Sequence, residues 1–152
     1  MFDFLEGGPG DDKIGSRKFW RNDSAIYKNA PGPVSIDLEQ GTATGEGSDT
    51  LINIHFLQLS IHDDLVKGTN GKENIRDFGG ADELILSGGN DFIYPPVGED
   101  DDDIFDLGAG DDFANAGSGD DFIDGGDGSD TAGGGAGTDE CINVEDAGDC
   151  EV

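Results

Sequence analysis

Residues 107–142 read, in blocks of nine, LGAGDDFAN, AGSGDDFID, GGDGSDTAG and GGAGTDECI. Glycine stands fourth in every block (Gly110, Gly119, Gly128, Gly137) and aspartate sixth (Asp112, Asp121, Asp130, Asp139). A small or apolar residue stands eighth (Ala114, Ile123, Ala132, Cys141). The first six places are turn-formers, because glycine supplies the positive φ that tight turns need. The last three have strand character, with the eighth residue pointing to one face and its neighbours to the other. Two blocks then predict one flattened coil with a turn on each side, and successive coils stack as parallel strands about 4.7–4.9 Å apart.

The phase extends upstream. LSIHDDLVK, GTNGKENIR, DFGGADELI and LSGGNDFIY (59–94) place Val66, Ile75, Leu84 and Ile93 eighth. Their sixth residues are Asp64, Glu73, Asp82 and Asp91, and Gly89 is the fourth residue of the last block. PPVGEDDDDIF (95–105) is two residues too long for a block. With Ile104 as its apolar residue, Asp102 becomes the sixth, and Asp106 is one further extra residue. Pro95 and Pro96 predict a bulge or corner here, since proline cannot donate to a strand ladder. Residues 7–15, GGPGDDKIG, fit the pattern in full with Asp12 and Ile14, and Asp23 with Ala25 reads as a degenerate copy.

Residues 31–58 are different in kind. VSIDL (34–38) alternates like a strand, QGTATGEGS (40–48) is turn-rich, and DTLINIHFLQLS (49–60) is the most apolar run and reads as strands. The expected architecture is all-β: a right-handed parallel β-roll, or β-solenoid, with an irregular N-terminal third. It forms one domain over residues 1–152. Within it, residues 7–30 hold the first and degenerate repeats, 31–58 metal-free apolar coils, 59–142 the regular repeats and 143–152 a C-terminal cap.

Acidic residues outnumber basic ones 35 to 8, giving a formal charge of −27, and only 34% of residues are hydrophobic. Taken alone, that composition predicts a disordered acidic chain. The period argues otherwise, because a disordered segment has no reason to hold aspartate and an apolar residue in fixed phase. The same charge disfavours nucleic acid and anionic membrane surfaces as partners. No stretch approaches the roughly 20 apolar residues of a membrane span. MFDFLEGG at the start lacks the basic and apolar regions of a classical secretory signal. Export by another route, or membership of a larger chain, is therefore expected.

Cations are the natural partners. Stacking brings the sixth-position carboxylates of alternate blocks next to one another, where they repel. Ca²⁺ holds oxygen ligands at about 2.3–2.6 Å and so spans roughly 4.6–5.2 Å, matching the strand spacing. Mg²⁺ spans only roughly 4.2 Å and gives up its water reluctantly. The expected ligands are Asp12, Asp64, Asp82, Asp91, Asp102, Asp112, Asp121, Asp130 and Asp139. Backbone carbonyls of Gly89, Gly110, Gly119, Gly128 and Gly137 are expected to complete the sites. The clearest bridges are Asp64 with Asp82, Asp112 with Asp130, and Asp121 with Asp139. Glu73 with Asp91 is weaker, because the longer side chain must fold back. Asp12 has no in-phase partner in this reading. No EF-hand pattern is present.

These blocks resemble the RTX (haemolysin-type) calcium-binding repeat family, whose period is G-G-x-G-x-D-x-U-x. The resemblance covers residues 7–15 and 59–142, and more loosely 31–58, which is similar to the non-repeat coils that interrupt such rolls. It implies a calcium-loaded parallel β-roll and extracellular use, secreted or at the cell surface. It often implies export of an unfolded, calcium-poor chain, with an export signal in the C-terminal tail. Three functional classes follow: a stand-alone calcium-dependent folding module, a calcium-stiffened spacer of an adhesin, or an accessory domain of a secreted protease, lipase or alginate-modifying enzyme. No catalytic motif is readable, so the chain itself is not expected to be an enzyme.

Two further features carry expectations. Cys141 and Cys150 either form a disulfide that staples the last coil in an oxidising compartment, or remain thiols with Cys141 a small inward residue. An oxidising compartment favours the disulfide. Phe92 and Phe113 occupy seventh positions two blocks apart and are expected to stack as an outward-facing ladder, with a partner-binding stripe as the alternative.

Overall fold

The computed structural model describes residues 4–15, 23–94 and 100–150. Among them there is no helix, and two facing sheets wind into a solenoid of about 7 turns. The first sheet stacks β1 (Phe4–Leu5), β3 (Asp23–Ile26), β7 (Ile54–Gln58), β9 (Asn74–Arg76), β11 (Phe92–Tyr94), β13 (Phe113–Ser118), β15 (Thr131–Ala136) and β17 (Asp146–Gly148) in that order. All its neighbours are parallel. The second sheet runs β16 (Glu140–Ile142), β14 (Phe122–Asp124), β12 (Ile104–Asp106), β10 (Glu83–Ile85), β8 (Leu65–Lys67), β4 (Ser35–Asp37), β5 (Thr42–Thr44), β6 (Ser48–Ile52) and β2 (Lys13–Gly15).

From residue 59 on, each block contributes a strand at its seventh to ninth residues, and the register pairs eighth residue with eighth. Ile75, Ile93, Ala114 and Ala132 stack on one wall. Val66, Leu84, Phe105, Ile123 and Cys141 stack on the other. The first position of the block is a second inward row, with Leu59, Leu86, Leu107 and Ala116 all buried. The core tapers. Tyr27, Val34, Ile36, Leu51, Ile54 and Leu57 fill the N-terminal end, whereas Ala114, Ala116 and Ala132 line the C-terminal end. Apolar burial contributes in proportion to area, so the alanine coils receive far less of it.

Two expectations are corrected. The first concerns phase after the insertion. Phe105, not Ile104, occupies the inward row, where it pairs with Leu84 and Ile123, while Ile104 is 51% exposed. The extra residues therefore all precede Asp100; the expected bulge at Pro95 and Pro96 lies outside the described residues. Asp106 is not an extra residue; it is the ninth of a regular block and pairs with Ile85 and Asp124.

The second correction concerns residues 34–52, which do not continue as parallel coils. β4, β5 and β6 form an antiparallel meander within the second sheet, joined to the parallel stack by β8 on one side and β2 on the other. The turn-rich stretch thus contains the strand β5. Gly41 (φ 68°) and Gly45 (φ 139°) reverse the chain at its two ends, with backbone angles that suit glycine. Because β3 meets β7 directly in the first sheet, the second sheet gains two strands over it at this level.

Outside, Phe92 and Phe113 stack with ring centroids 6.0 Å apart, as the seventh-position register predicts. Lys72 lies over the Phe92 ring at 4.0 Å. Cys141 and Cys150 are joined by a disulfide.

Candidate metal centre

Each turn is built around its sixth residue. The backbone amide of one sixth residue donates to the carboxylate of the sixth residue in the next coil. One ladder runs from Asp64 to Asp82 (2.8 Å), Asp82 to Asp103 (2.9 Å), Asp103 to Asp121 (2.8 Å) and Asp121 to Asp139 (3.0 Å). The other runs from Glu73 to Asp91 (2.7 Å), Asp91 to Asp112 (2.7 Å), Asp112 to Asp130 (2.8 Å) and Asp130 to Glu145 (2.7 Å). The expected neighbours are thus brought together in two alternating ladders, both unbroken across the insertion.

Asp102 is not the sixth residue of its block; Asp103 is. Asp103 is buried among the ladder carboxylates, whereas Asp102 is exposed and accepts a bond from the Asp120 amide at 2.8 Å. The four-aspartate run at 100–103 hid the phase, and the inward Phe105 fixes it. Fifth residues form a rim of their own with opposite polarity. Carboxylates of Asp63, Asp111 and Asp120 accept from the amides of Ala81, Ser129 and Thr138 in the following coil. Glu145, which closes the second ladder, lies beyond the last full block and was invisible to the period.

Fourth-position glycines make the close stacking feasible. A Cβ added to Gly110 (φ 148°) would lie 1.4 Å from the carbonyl oxygen of Gly89, and one on Gly128 (φ 157°) 1.6 Å from that of Gly110. The Gly119 carbonyl faces Gly137 in the same way, at 1.8 Å. At these three glycines a side chain would collide with the backbone of the preceding coil. The carbonyls of Gly89, Gly110 and Gly119 point along the stack.

The second carboxylate oxygen divides the molecule. In Asp82, Asp91, Asp112, Asp121 and Asp130, Oδ2 is buried and has no hydrogen-bond partner. Such groups cost about 1–3 kcal/mol each when unsatisfied, and more when charged. Burial raises these carboxyls above their ordinary range, and neighbouring carboxylates add to it. Asp91 is pushed up to about 7 by burial, with Glu73 and Asp112 adding repulsion. Asp121 rises to about 6, by burial first and with Asp139 the largest contributing charge, and Asp103 to about 8, by burial first and with Asp77 and Asp121 contributing. Asp82 is pushed up to about 11, by burial first and by Asp77 next. Asp112 and Asp130 are raised in the same sense, again by burial first.

Toward the N-terminus the same oxygens are answered by the protein. Asp64 accepts from the amides of Val34 (2.8 Å) and Ser60 (2.7 Å) and from the Ser60 hydroxyl (2.9 Å). Glu73 accepts from the Thr69 hydroxyl at 2.6 Å and its amide at 3.3 Å. Asp12 does have a partner: its amide donates to Asp49 Oδ1 at 3.0 Å, and the Tyr27 hydroxyl donates to Asp49 Oδ2 at 3.0 Å. The meander places these residues 37 apart, which no count of blocks reveals. Asp23 is the exception here, fully buried with neither oxygen partnered.

A row of buried, unpartnered carboxylate oxygens along stacked parallel turns fits a hard divalent cation with oxygen ligands, as calcium requires. Together, fold and site define a β-solenoid whose turns stack a buried carboxylate in each regular block. The sequence profile of the RTX calcium-binding nonapeptide repeat, in 4 copies, matches residues 2–15, 61–95, 97–114 and 108–141. The chain belongs to this family, and its repeats form a calcium-binding module of structural rather than catalytic kind. No curated protein matches the chain. No helix among the described residues is long and apolar enough to cross a membrane.

Proposed function

We propose that this module acquires its rigid solenoid form by binding Ca²⁺ along residues 77–142, as part of a secreted or cell-surface protein. The observation that carries the reading is the set of buried Oδ2 atoms without donors on Asp82, Asp91, Asp112, Asp121 and Asp130. A cation at each turn would supply what the protein leaves out, and the binding free energy would then be folding free energy. Beyond Leu107 the core is mainly alanine, with Ile123 the one large side chain among the fully buried described residues, and the whole chain carries a charge of −27, so the last coils have little else to hold them together. The Cys141–Cys150 disulfide supports an oxidising, extracellular setting.

Calcium titration followed by far-UV circular dichroism, with magnesium as control, tests it. The expected result is a cooperative gain of β signal with calcium and none with magnesium at the same concentration. A spectrum already at full β content in excess EDTA, and unmoved by calcium, would overturn the reading.

A further inference from the structure

Asp77 stands outside the repeat pattern. It is the first residue of its block, in the inward row that elsewhere holds Leu59, Leu86 and Leu107, yet it is a carboxylate with 1% exposure. The geometry of that row explains where its side chain goes. A Cβ added at the first-position glycines Gly68 and Gly125 would lie 3.0 Å from a carboxylate oxygen of the sixth residue in the same block, Glu73 and Asp130 respectively. A first-position side chain therefore leaves the backbone toward its own sixth-position carboxylate. In most blocks this space is closed to donors by glycine or a hydrocarbon; at Asp77 it receives a second carboxylate.

The result is one tight group. Asp77, Asp82 and Asp103 each offer an oxygen, all three within 4.8 Å of one another and all buried. Oδ1 of Asp77 is engaged by the Gly79 amide at 2.9 Å, and Oδ1 of Asp82 and of Asp103 by the ladder amides of Asp64 and Asp82. Oδ2 of Asp77 and of Asp82 is buried without a partner. Three carboxylates packed this closely cannot all stay ionised unless a cation lies among them. Opposite ligands of one Ca²⁺ stand roughly 4.6–5.2 Å apart, so the group fits around a single ion.

We infer that Asp77, Asp82 and Asp103 hold one calcium ion with three carboxylates, and that this ion is the first and tightest bound of the series. The inference rests on the calcium reading above and adds to it a ligand that the nine-residue pattern does not contain. Charge count is the principal lever on calcium affinity among oxygen-donor sites. The repeat Asp pairs offer two carboxylates, and this turn offers three. It also lies next to the hydroxyl-capped coil of Ser60 and Asp64, so the first ion would dock onto structure that already exists.

Isothermal titration of the full chain with CaCl₂ tests the assignment, using Asp77→Asn, Asp77→Gly and, as a control at another turn, Asp112→Asn. Asparagine keeps the acceptor for the Gly79 amide and removes the charge, and glycine is what other blocks carry at this position. The expected outcome is a distinct tightest step of one ion in the unmodified protein. Both Asp77 variants weaken that step by about tenfold or more and spare the later ones, as loss of one charged ligand predicts. Asp112→Asn leaves the tightest step in place and weakens a later one. An unchanged tightest step in either Asp77 variant overturns the site while leaving calcium binding intact. Equal weakening of every step does the same, since it marks a structural role. If the unmodified protein takes up no calcium, the calcium reading itself fails, and the site with it.

Discussion

The coils around Asp49, Asp64 and Glu73 and those from Asp82 onward share one bond and differ in another. In both regions an amide from the preceding coil holds one carboxylate oxygen, as at Asp49, Asp64, Asp82, Asp91 and Asp130; Glu73 differs in having both oxygens on Thr69. In the N-terminal region Tyr27, Ser60 or Thr69 meets an oxygen of Asp49, Asp64 or Glu73; at Asp82, Asp91, Asp112, Asp121 and Asp130 the second oxygen is buried without a hydrogen-bond partner. Large side chains fill the core as far as Phe105 and Leu107; beyond them Ile123 stands among Ala114, Ala116 and Ala132. Under the proposed function, a cation would do at the C-terminal turns what a hydroxyl does at Asp64 and Glu73. The capped coils would then depend on packing, and folding of the others on the metal.

The largest expected effect comes from removing calcium. In EDTA, hydrogen exchange should accelerate to near the unfolded rate across residues 77–142 while the strands β3 to β8 stay protected. Mass spectrometry of exchanged peptides reads this directly, and uniform protection or uniform loss would erase the distinction between the regions.

Acidity should partly replace calcium. The carboxyls of Asp121, Asp91 and Asp103, at about 6, 7 and 8, lie above their ordinary value of 3.8. With no cation beside them, the fold favours their protonated forms, so their contribution to stability is fully present below the ordinary value. It is lost as pH rises through 6 to 8. Calcium-free protein should therefore show more β signal at pH 5 than at pH 8. Calcium-loaded protein should show the reverse trend, because protons compete with the ion. Thermal melts at both pH values, with EDTA and with calcium, check the signs.

A matched pair of substitutions sharpens the contrast. Asp112→Asn should raise the calcium midpoint by about tenfold, since charge count sets affinity in such sites. Asp49→Asn should leave the midpoint alone and cost about 1–3 kcal/mol in calcium-saturated stability, by loosening the buried bond with Tyr27. Calcium titrations and urea melts of both variants separate the two effects.

The smallest effect is the most pointed. Thr69→Ala removes the hydroxyl that caps Glu73 and should cost about 1 kcal/mol without calcium. It should also leave Glu73 with an unanswered oxygen and so make this coil's exchange protection newly sensitive to calcium. If protection at Asn74–Arg76 remains indifferent to the metal, hydroxyl and cation are not equivalent.

Much of this was legible in the sequence, because the coil repeats: a period of nine fixes which residue faces inward and which carboxylates stack. Three things were not. Asp103 was hidden among Asp100, Asp101 and Asp102, and Ile104 and Phe105 are equally apolar, so only the sheet register identified the phase. The meander was hidden because an alternating strand reads the same in either direction; VSIDL does not say whether its successor returns antiparallel. Asp77 was hidden because a single aspartate among 35 acidic residues has no signal until the fold turns it inward. The hydroxyl caps had only a partial signal: Ser60 and Thr69 stand second in their blocks, but so does Ser87, whose block leaves Asp91 Oδ2 without a partner.

The disulfide between Cys141 and Cys150 changes how the stack bears load. β17 adds to the first sheet inside the loop that the disulfide closes, while Cys141 sits in the opposite wall beside Ile123. A pull applied beyond Cys150 would otherwise unzip β17 one bond at a time. Routed through the sulfur bridge, the tension bypasses that strand and enters β16, where the three paired residues Glu140 to Ile142 must yield together. The final coil is thereby loaded at the middle of a paired strand instead of at a free end.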